Sequence, residues 1–149
     1  MRILLRPLLL MLLLTLGTAA PAAAQDLSSL TIETAGGERR FAVELADDAA
    51  SRRRGLMFRQ SMPLDHGMLF DFKRDIYISM WMRNTFIPLD MLFLDKSGRV
   101  TFIRENATPG SLDTIQPPDR NRAVLELRGG TVARLGIATG DQVEHKIFR

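Results

Sequence analysis

Between Trp81 and Asp95 the chain reads WMRNTFIPLDMLFLD, where Arg83, Asn84, Thr85, Pro88 and Asp90 break an otherwise apolar pattern. A buried amide or charge without a partner costs roughly 1–3 kcal/mol. These side chains therefore need partners, either one another or a ligand. Arginine forks suit carboxylate and phosphate groups, asparagine both donates and accepts, and tryptophan offers a flat stacking face. With two arginines from upstream, the set Arg54, Arg59, Trp81, Arg83, Asn84 and Asp90 has the makings of a pocket for a small anionic or sugar-like ligand. Asp90 is also the candidate catalytic residue of a hydrolase-type enzyme. It would act as general base or metal ligand, with Arg83 or Arg59 holding an anionic substrate. Two further readings compete. The polar residues could form an internal hydrogen-bond network that specifies the packing, or an exposed strand edge could pair with a protein partner.

Most other chemistry has no residues to carry it. His66 and His145 lie far apart, and neither belongs to an H-x-H or H-E-x-x-H pattern, so no metal site is expected. His145 reads as a surface or edge residue of the last strand, and His66, beside Gly67, as a candidate for the rim of a site. There is no cysteine, which excludes disulfides, thiol nucleophiles and thiolate metal ligands. No G-x-S-x-G elbow or phosphate-binding glycine loop occurs, and Ser61, Ser79 and Ser111 have no recognisable base partner. Asp71, Asp90 and Glu105 are the carboxylates that a fold could bring together for acid–base work. Met57, Met62, Met68, Met80, Met82 and Met91 cluster, and thioethers select Cu(I). Without histidine or cysteine to complete such a site, core packing is the expectation. No cofactor is implied.

The N-terminal segment has the pattern of an export leader. Arg2 and Arg6 precede an apolar run from Leu8 to Leu16, and Ala22-Ala23-Ala24 supplies small residues for cleavage before Gln25. Residues 1–24 are expected to be removed and 25–149 to form one domain, periplasmic or secreted. The apolar run is short of the ~20 residues that span a bilayer, so no stable membrane anchor is expected after cleavage. The whole chain has 20 basic and 17 acidic side chains, but with Arg2 and Arg6 gone the balance is 18 to 17. Nucleic-acid binding needs a clustered surplus and is not expected. Arg52-Arg53-Arg54 is the one dense basic run and reads as a solvated helix face.

The elements that would position these residues are mostly strands. Leu30 and Ile32 alternate with polar neighbours, Gly36-Gly37 turns the chain, and Phe41, Val43 and Leu45 alternate again, as in a hairpin. Asp47 is placed to cap a short helix through Arg54, closed by Gly55. Gly67–Phe72 and Ile76–Met82 read as two strands about the charged turn Lys73-Arg74-Asp75. Leu89–Leu94 and Val100–Ile103 form a pair across Asp95–Gly98, and Asn106–Asn121 is a long connection of the kind that often carries function. Val124–Leu127 reads as a strand, Thr131–Leu135 as a helical turn ended by Gly136, and Gln142–Phe148 as a last strand. Around eight short strands with two helical turns predict a mainly β, single-domain β-sandwich or partly closed barrel.

Several of these segments, in this order, resemble one known family. RGLMFR at Arg54–Arg59, Met62-Pro63, GMLF at Gly67–Phe70, WMRNT at Trp81–Thr85 and PLDMLFLD at Pro88–Asp95 are similar to the motifs of DUF192. The Ala107-Thr108-Pro109 step, VLEL at Val124–Leu127 and the I-x-x-GD-x-V pattern at Ile137–Val143 fit as well. The resemblance runs over nearly all of the chain from about Leu30. It implies a compact, mainly β, often exported domain and no particular reaction. Arg83 stands where many members carry lysine, which keeps the charge and changes the hydrogen-bond geometry.

Overall fold

The computed structural model describes residues 26–149, so the leader lies outside the described residues. The described chain forms seven strands: β1 (Leu27–Thr34), β2 (Gly37–Ala46), β3 (His66–Ile76), β4 (Leu89–Leu94), β5 (Val100–Ala107), β6 (Asn121–Arg128) and β7 (Gln142–Glu144). Two short helices accompany them, α1 (Ala49–Arg54) and α2 (Thr131–Leu135). The strands make one curled sheet in the order β5-β4-β6-β3-β2-β1-β7, antiparallel except where β2 runs parallel to β3. The two edges meet at one end. Arg99 bridges Gln142, and the Val143 N–H donates to the Gly98 carbonyl at 2.8 Å. The result is a partly closed barrel.

The side-chain period of two sorts this sheet into two cores. One face gathers Leu30, Ile32, Phe41, Val43, Leu69, Leu92, Leu125 and Val143, fills the inside of the curl, and is capped by Val132 of α2. The opposite face carries Met68, Phe70, Met91, Phe93 and Val124. Loops cover it, contributing Leu56, Met62, Ile78, Met82 and Ile115. All six residues of β4 are therefore buried, and so is β6 from Ala123 to Leu127. The two covering loops hold each other. Met80 and Ile115 exchange both backbone hydrogen bonds at 2.9 Å, and the Met82 N–H donates to the Ser111 carbonyl at 3.1 Å.

Three expectations about elements change. Asp48, not Asp47, caps α1: its carboxylate accepts from the Ala50 and Ser51 N–H groups, while Asp47 accepts from the Lys73 ammonium at 3.0 Å. Lys73-Arg74-Asp75 does not divide two strands, because β3 runs through it with a register shift between Asp71 and Ile76. Beyond Ile76 the chain up to Leu89 is loop, with only the Met80 bridge in β geometry. Finally β7 stops at Glu144, and His145 starts a 3₁₀ turn over Lys146–Phe148.

Two glycines permit close packing around β3. A Cβ on Gly67 would lie 2.7 Å from the Glu126 carbonyl oxygen, so only glycine lets β3 approach β6 there. Gly55, at φ 47°, closes α1 and sits over the Phe70 ring. No helix among the described residues is long and apolar enough to cross a membrane.

Candidate functional site

A cavity of about 470 Å³ opens between α1 and the Ser79–Thr85 loop, over the second core. Phe70, Phe72, Leu56, Met80 and Trp81 supply apolar surface, and Arg52, Arg53, Arg54 and Arg83 supply charge. The helix brings the first three arginines because capping at Asp48 and closure at Gly55 set its single full turn against β3. Arg52 is the best anchored. It donates to the Asp71 carbonyl at 2.9 Å and lies 5.5 Å over the Phe72 ring. Arg83 stacks 5.7 Å over Trp81, whose ring is half exposed at the mouth. Arg53, Arg54 and Arg83 form no ion pair among the described residues. The basic run is the solvated helix face that was expected, and it also forms the charged wall of a cavity.

Of the six residues expected at a site, the fold brings three together: Arg54, Trp81 and Arg83 all line this cavity. Arg59 is held elsewhere, in a bidentate pair with Glu44 at 2.6 and 2.9 Å, beside a smaller cavity of about 280 Å³ that shares Arg54 and Gly55 with the first. Asn84 is exposed, and its backbone at φ 56° shapes the loop; its carbonyl accepts from the Phe58 N–H at 2.8 Å. Asparagine adopts that left-handed conformation more readily than most residues.

Asp90 occupies a different place altogether. Its side chain is fully buried, and its carboxylate accepts from the backbone N–H groups of Asn106 (2.8 Å), Gly130 (3.1 Å) and Val132 (2.8 Å). It thereby ties β4 to the end of β5 and caps α2 from outside, where Gly130 has no side chain to do so. This geometry leaves no face of the carboxylate for substrate or metal, and Asp90 does not line the arginine cavity. The other carboxylates do not pair either. Burial works against ionisation of Asp71, but the Lys73 N–H and the Arg122 guanidinium outweigh it and hold the carboxyl below the usual range. Glu105 is exposed.

The residue that the sequence reading missed is Glu126. It lies on β6, in register with Met68 of β3 and Met91 of β4, and is 4% exposed at the floor of the cavity. Its carboxyl makes no hydrogen bond or ion pair among the described residues, and burial pushes its pKa up to about 8. A signal was there to be read. Glu126 is the one charged residue within the apolar run Ala123–Leu127, and a strand covered on both faces leaves it nowhere exposed to point.

The histidines do not join the cavity. His145 is buried, contrary to the surface position expected, because the 3₁₀ turn folds it against β1. Its Nδ1 accepts from the Ile147 N–H at 3.4 Å, which leaves the proton on Nε2 to donate to Ser28 Oγ at 2.9 Å. Ser28 donates onward to the Val43 carbonyl. The imidazole is a donor in this pair, so it does not act as a base on the serine. His66 is held by Asp65 at 2.9 Å. The methionines mostly pack: Met62, Met68, Met82 and Met91 are buried in the second core, and Met57 and Met80 line the cavity. Among the described residues no three His, Cys, Asp or Glu side chains group so as to hold a metal.

The family model DUF192, described as "Uncharacterized ACR, COG1430", matches residues 31–145. The chain belongs to the DUF192 family. It is similar to two solved structures. One, described as a candidate transcription regulator from Sinorhizobium meliloti 1021, is 44% identical, with a TM-score of 0.79 over 83% of this chain and 96% of that one. The other, a protein of unknown function from Novosphingobium aromaticivorans DSM 12444, is 37% identical, with a TM-score of 0.80 over 86% of this chain and 91% of that one. No curated protein matches. Membership of DUF192 accounts for the curled seven-stranded sheet and leaves the activity open.

Proposed function

We propose that this DUF192 protein is an exported binding module for a small ligand that joins an oxyanion to an apolar body. One observation carries the reading: Arg53, Arg54 and Arg83, which form no ion pair among the described residues, line a cavity whose remaining walls are largely apolar and aromatic. Arginines not paired with carboxylates repel one another, and the arrival of an anion relieves that repulsion. The volume, about 470 Å³, falls in the range of small-molecule sites. Carboxylates and phosphate or sulfate esters, including those on sugars, have the required chemistry. The leader pattern of residues 1–24 supports a site of action in the cell envelope.

Calorimetric titration with benzoate, sulfate and inorganic phosphate tests the reading. Binding of at least one is expected, and the double variant Arg54→Ala/Arg83→Ala is expected to weaken it at least ~10-fold, as for charge-assisted hydrogen bonds. Failure of all three anions to bind overturns the proposal, as does undiminished binding to the double variant. N-terminal sequencing of the protein recovered from the envelope fraction is expected to begin at Gln25.

A further inference from the structure

An anion-binding cavity with a carboxyl at its floor looks self-defeating if that carboxyl is ionised. Glu126 would then attract the arginines and repel the ligand. Its surroundings point the other way. The row of side chains across the sheet at this level runs Arg104, Met91, Glu126, Met68, Glu44 from β5 through β4, β6 and β3 to β2. Thioethers therefore flank Glu126 on both sides. Glu44, one strand further, is taken by Arg59, and Arg104 is exposed. On its own strand Val124 is buried in the same core and Arg128 is exposed. Across the cavity stand Arg52, Arg53 and Arg54 of α1 and Arg83 of the loop, none of which bonds the carboxyl. Among the described residues Glu126 is thus a buried polar group with no partner, facing the space that a ligand would fill.

We propose that Glu126 binds the ligand as a neutral carboxylic acid, donating its O–H to an oxygen of the anion that the arginines hold, so that the cavity takes up an oxyanion only together with a proton on Glu126. This deepens, and rests on, the anion-binding reading of the same cavity. The proton stays on Glu126 throughout. In that form the group adds a donor to the cavity between the Met68 and Met91 thioethers. Burial already holds the empty site protonated up to a pKa of about 8. A bound anion raises it further, because a negative neighbour disfavours ionisation. Linkage then fixes the sign: affinity is full below pH 8 and falls as Glu126 ionises above it. The other lining side chains are arginines, hydroxyls and apolar groups.

Benzoate is a suitable probe because it stays ionised across the range. Calorimetric titration of the wild type is expected to give a dissociation constant that is level below pH 8 and rises about tenfold per pH unit above it. Glu126→Gln retains a donor, so it is expected to bind within about threefold of wild type at neutral pH and to lose the pH dependence. Carbon-13 NMR of the side-chain carboxyl is expected to find Glu126 protonated at pH 7 in the free protein. An ionised Glu126 at pH 7 overturns the proposal. So does a wild-type profile that Glu126→Gln shares, or affinity that grows with pH, which would mark an ammonium-bearing ligand paired to a carboxylate. Benzoate, sulfate or phosphate binding with a flat profile removes this inference and leaves the anion site standing. Binding of none of the three removes both.

Discussion

Asp90 and Glu126 are two carboxyls buried on neighbouring strands, one residue out of step in the pairing of β4 with β6. That single step puts them on opposite faces of the sheet. Asp90 points to the end of the barrel, where three backbone N–H groups from the β5 end and the start of α2 close on it. Glu126 points to the outer face, where two methionines flank it and a cavity lies above. The first is fully partnered and holds the fold together. The second has no hydrogen-bond or ion-pair partner among the described residues and faces a cavity. A buried carboxyl is therefore not by itself a mark of function; one left unpaired at the edge of a cavity is far more telling.

Substitution should separate the pair, and the largest effect is expected at Asp90. Asp90→Ala strands the buried Val132 N–H and the part-buried Asn106 and Gly130 N–H groups, at roughly 1–3 kcal/mol for a buried group and less for the other two, so a loss of about 4 kcal/mol is expected, a large part of the stability of a small domain. Urea denaturation, or failure to obtain folded protein, reads it out. A mild effect would mean that water replaces the carboxylate and that the clasp is not what fastens α2.

Glu126 should show the opposite sensitivity, to pH rather than to deletion. Its pKa rises from 4.5 to about 8 on folding. The stabilising contribution of the neutral form is complete below pH 4.5, declines as pH rises toward 8, and levels off beyond. The unfolding free energy of wild type relative to Glu126→Gln should accordingly fall by up to about 5 kcal/mol across that window. Parallel curves for the two proteins would show that Glu126 is paired or hydrated in solution, and the contrast with Asp90 would collapse. The smallest stability effect belongs to the cavity wall. Arg54→Ala removes an exposed side chain without an ion pair, and should change stability by no more than about 0.5 kcal/mol while weakening anion binding. A larger loss would move Arg54 from the site to the scaffold.

How much of this was legible in the chain varies with how local the cause is. The hairpin β1–β2 follows from alternation about Gly36-Gly37, and α2 from the glycine at its end. Buried β4 follows from a run that is apolar apart from Asp90. Many short strands separated by turn residues gave a β-sandwich or a partly closed barrel, and only the meeting of the two sheet edges at Arg99 and Gln142 chose the barrel. Where the sequence reading erred, a distant partner had decided the matter. Asp47 and Asp48 are equivalent as caps until Lys73 arrives to take the former. Ile76–Met82 has strand composition but no neighbouring strand, so most of it stays loop, buttressed by the connection that contains Ile115. His145 is buried because the chain turns into 3₁₀ geometry just after β7.

The signature WMRNTFIPLDMLFLD shows the same division. Its composition alone determined that polar groups enter an apolar neighbourhood and must be satisfied there, because desolvation acts on residue type regardless of fold. Only the tertiary structure decided what satisfies each one. Trp81 and Arg83 were sent to the cavity mouth beside Arg54, Asn84 to a left-handed loop, and Asp90 to backbone N–H groups. Those partners lie up to 42 residues away from Asp90 along the chain. Pairing across a sheet depends on register, and a shift of one residue reverses the face on which every side chain lands. That is why Glu126, an inconspicuous letter in VLEL, stands at the centre of the proposed site while the more conspicuous Asp90 does not.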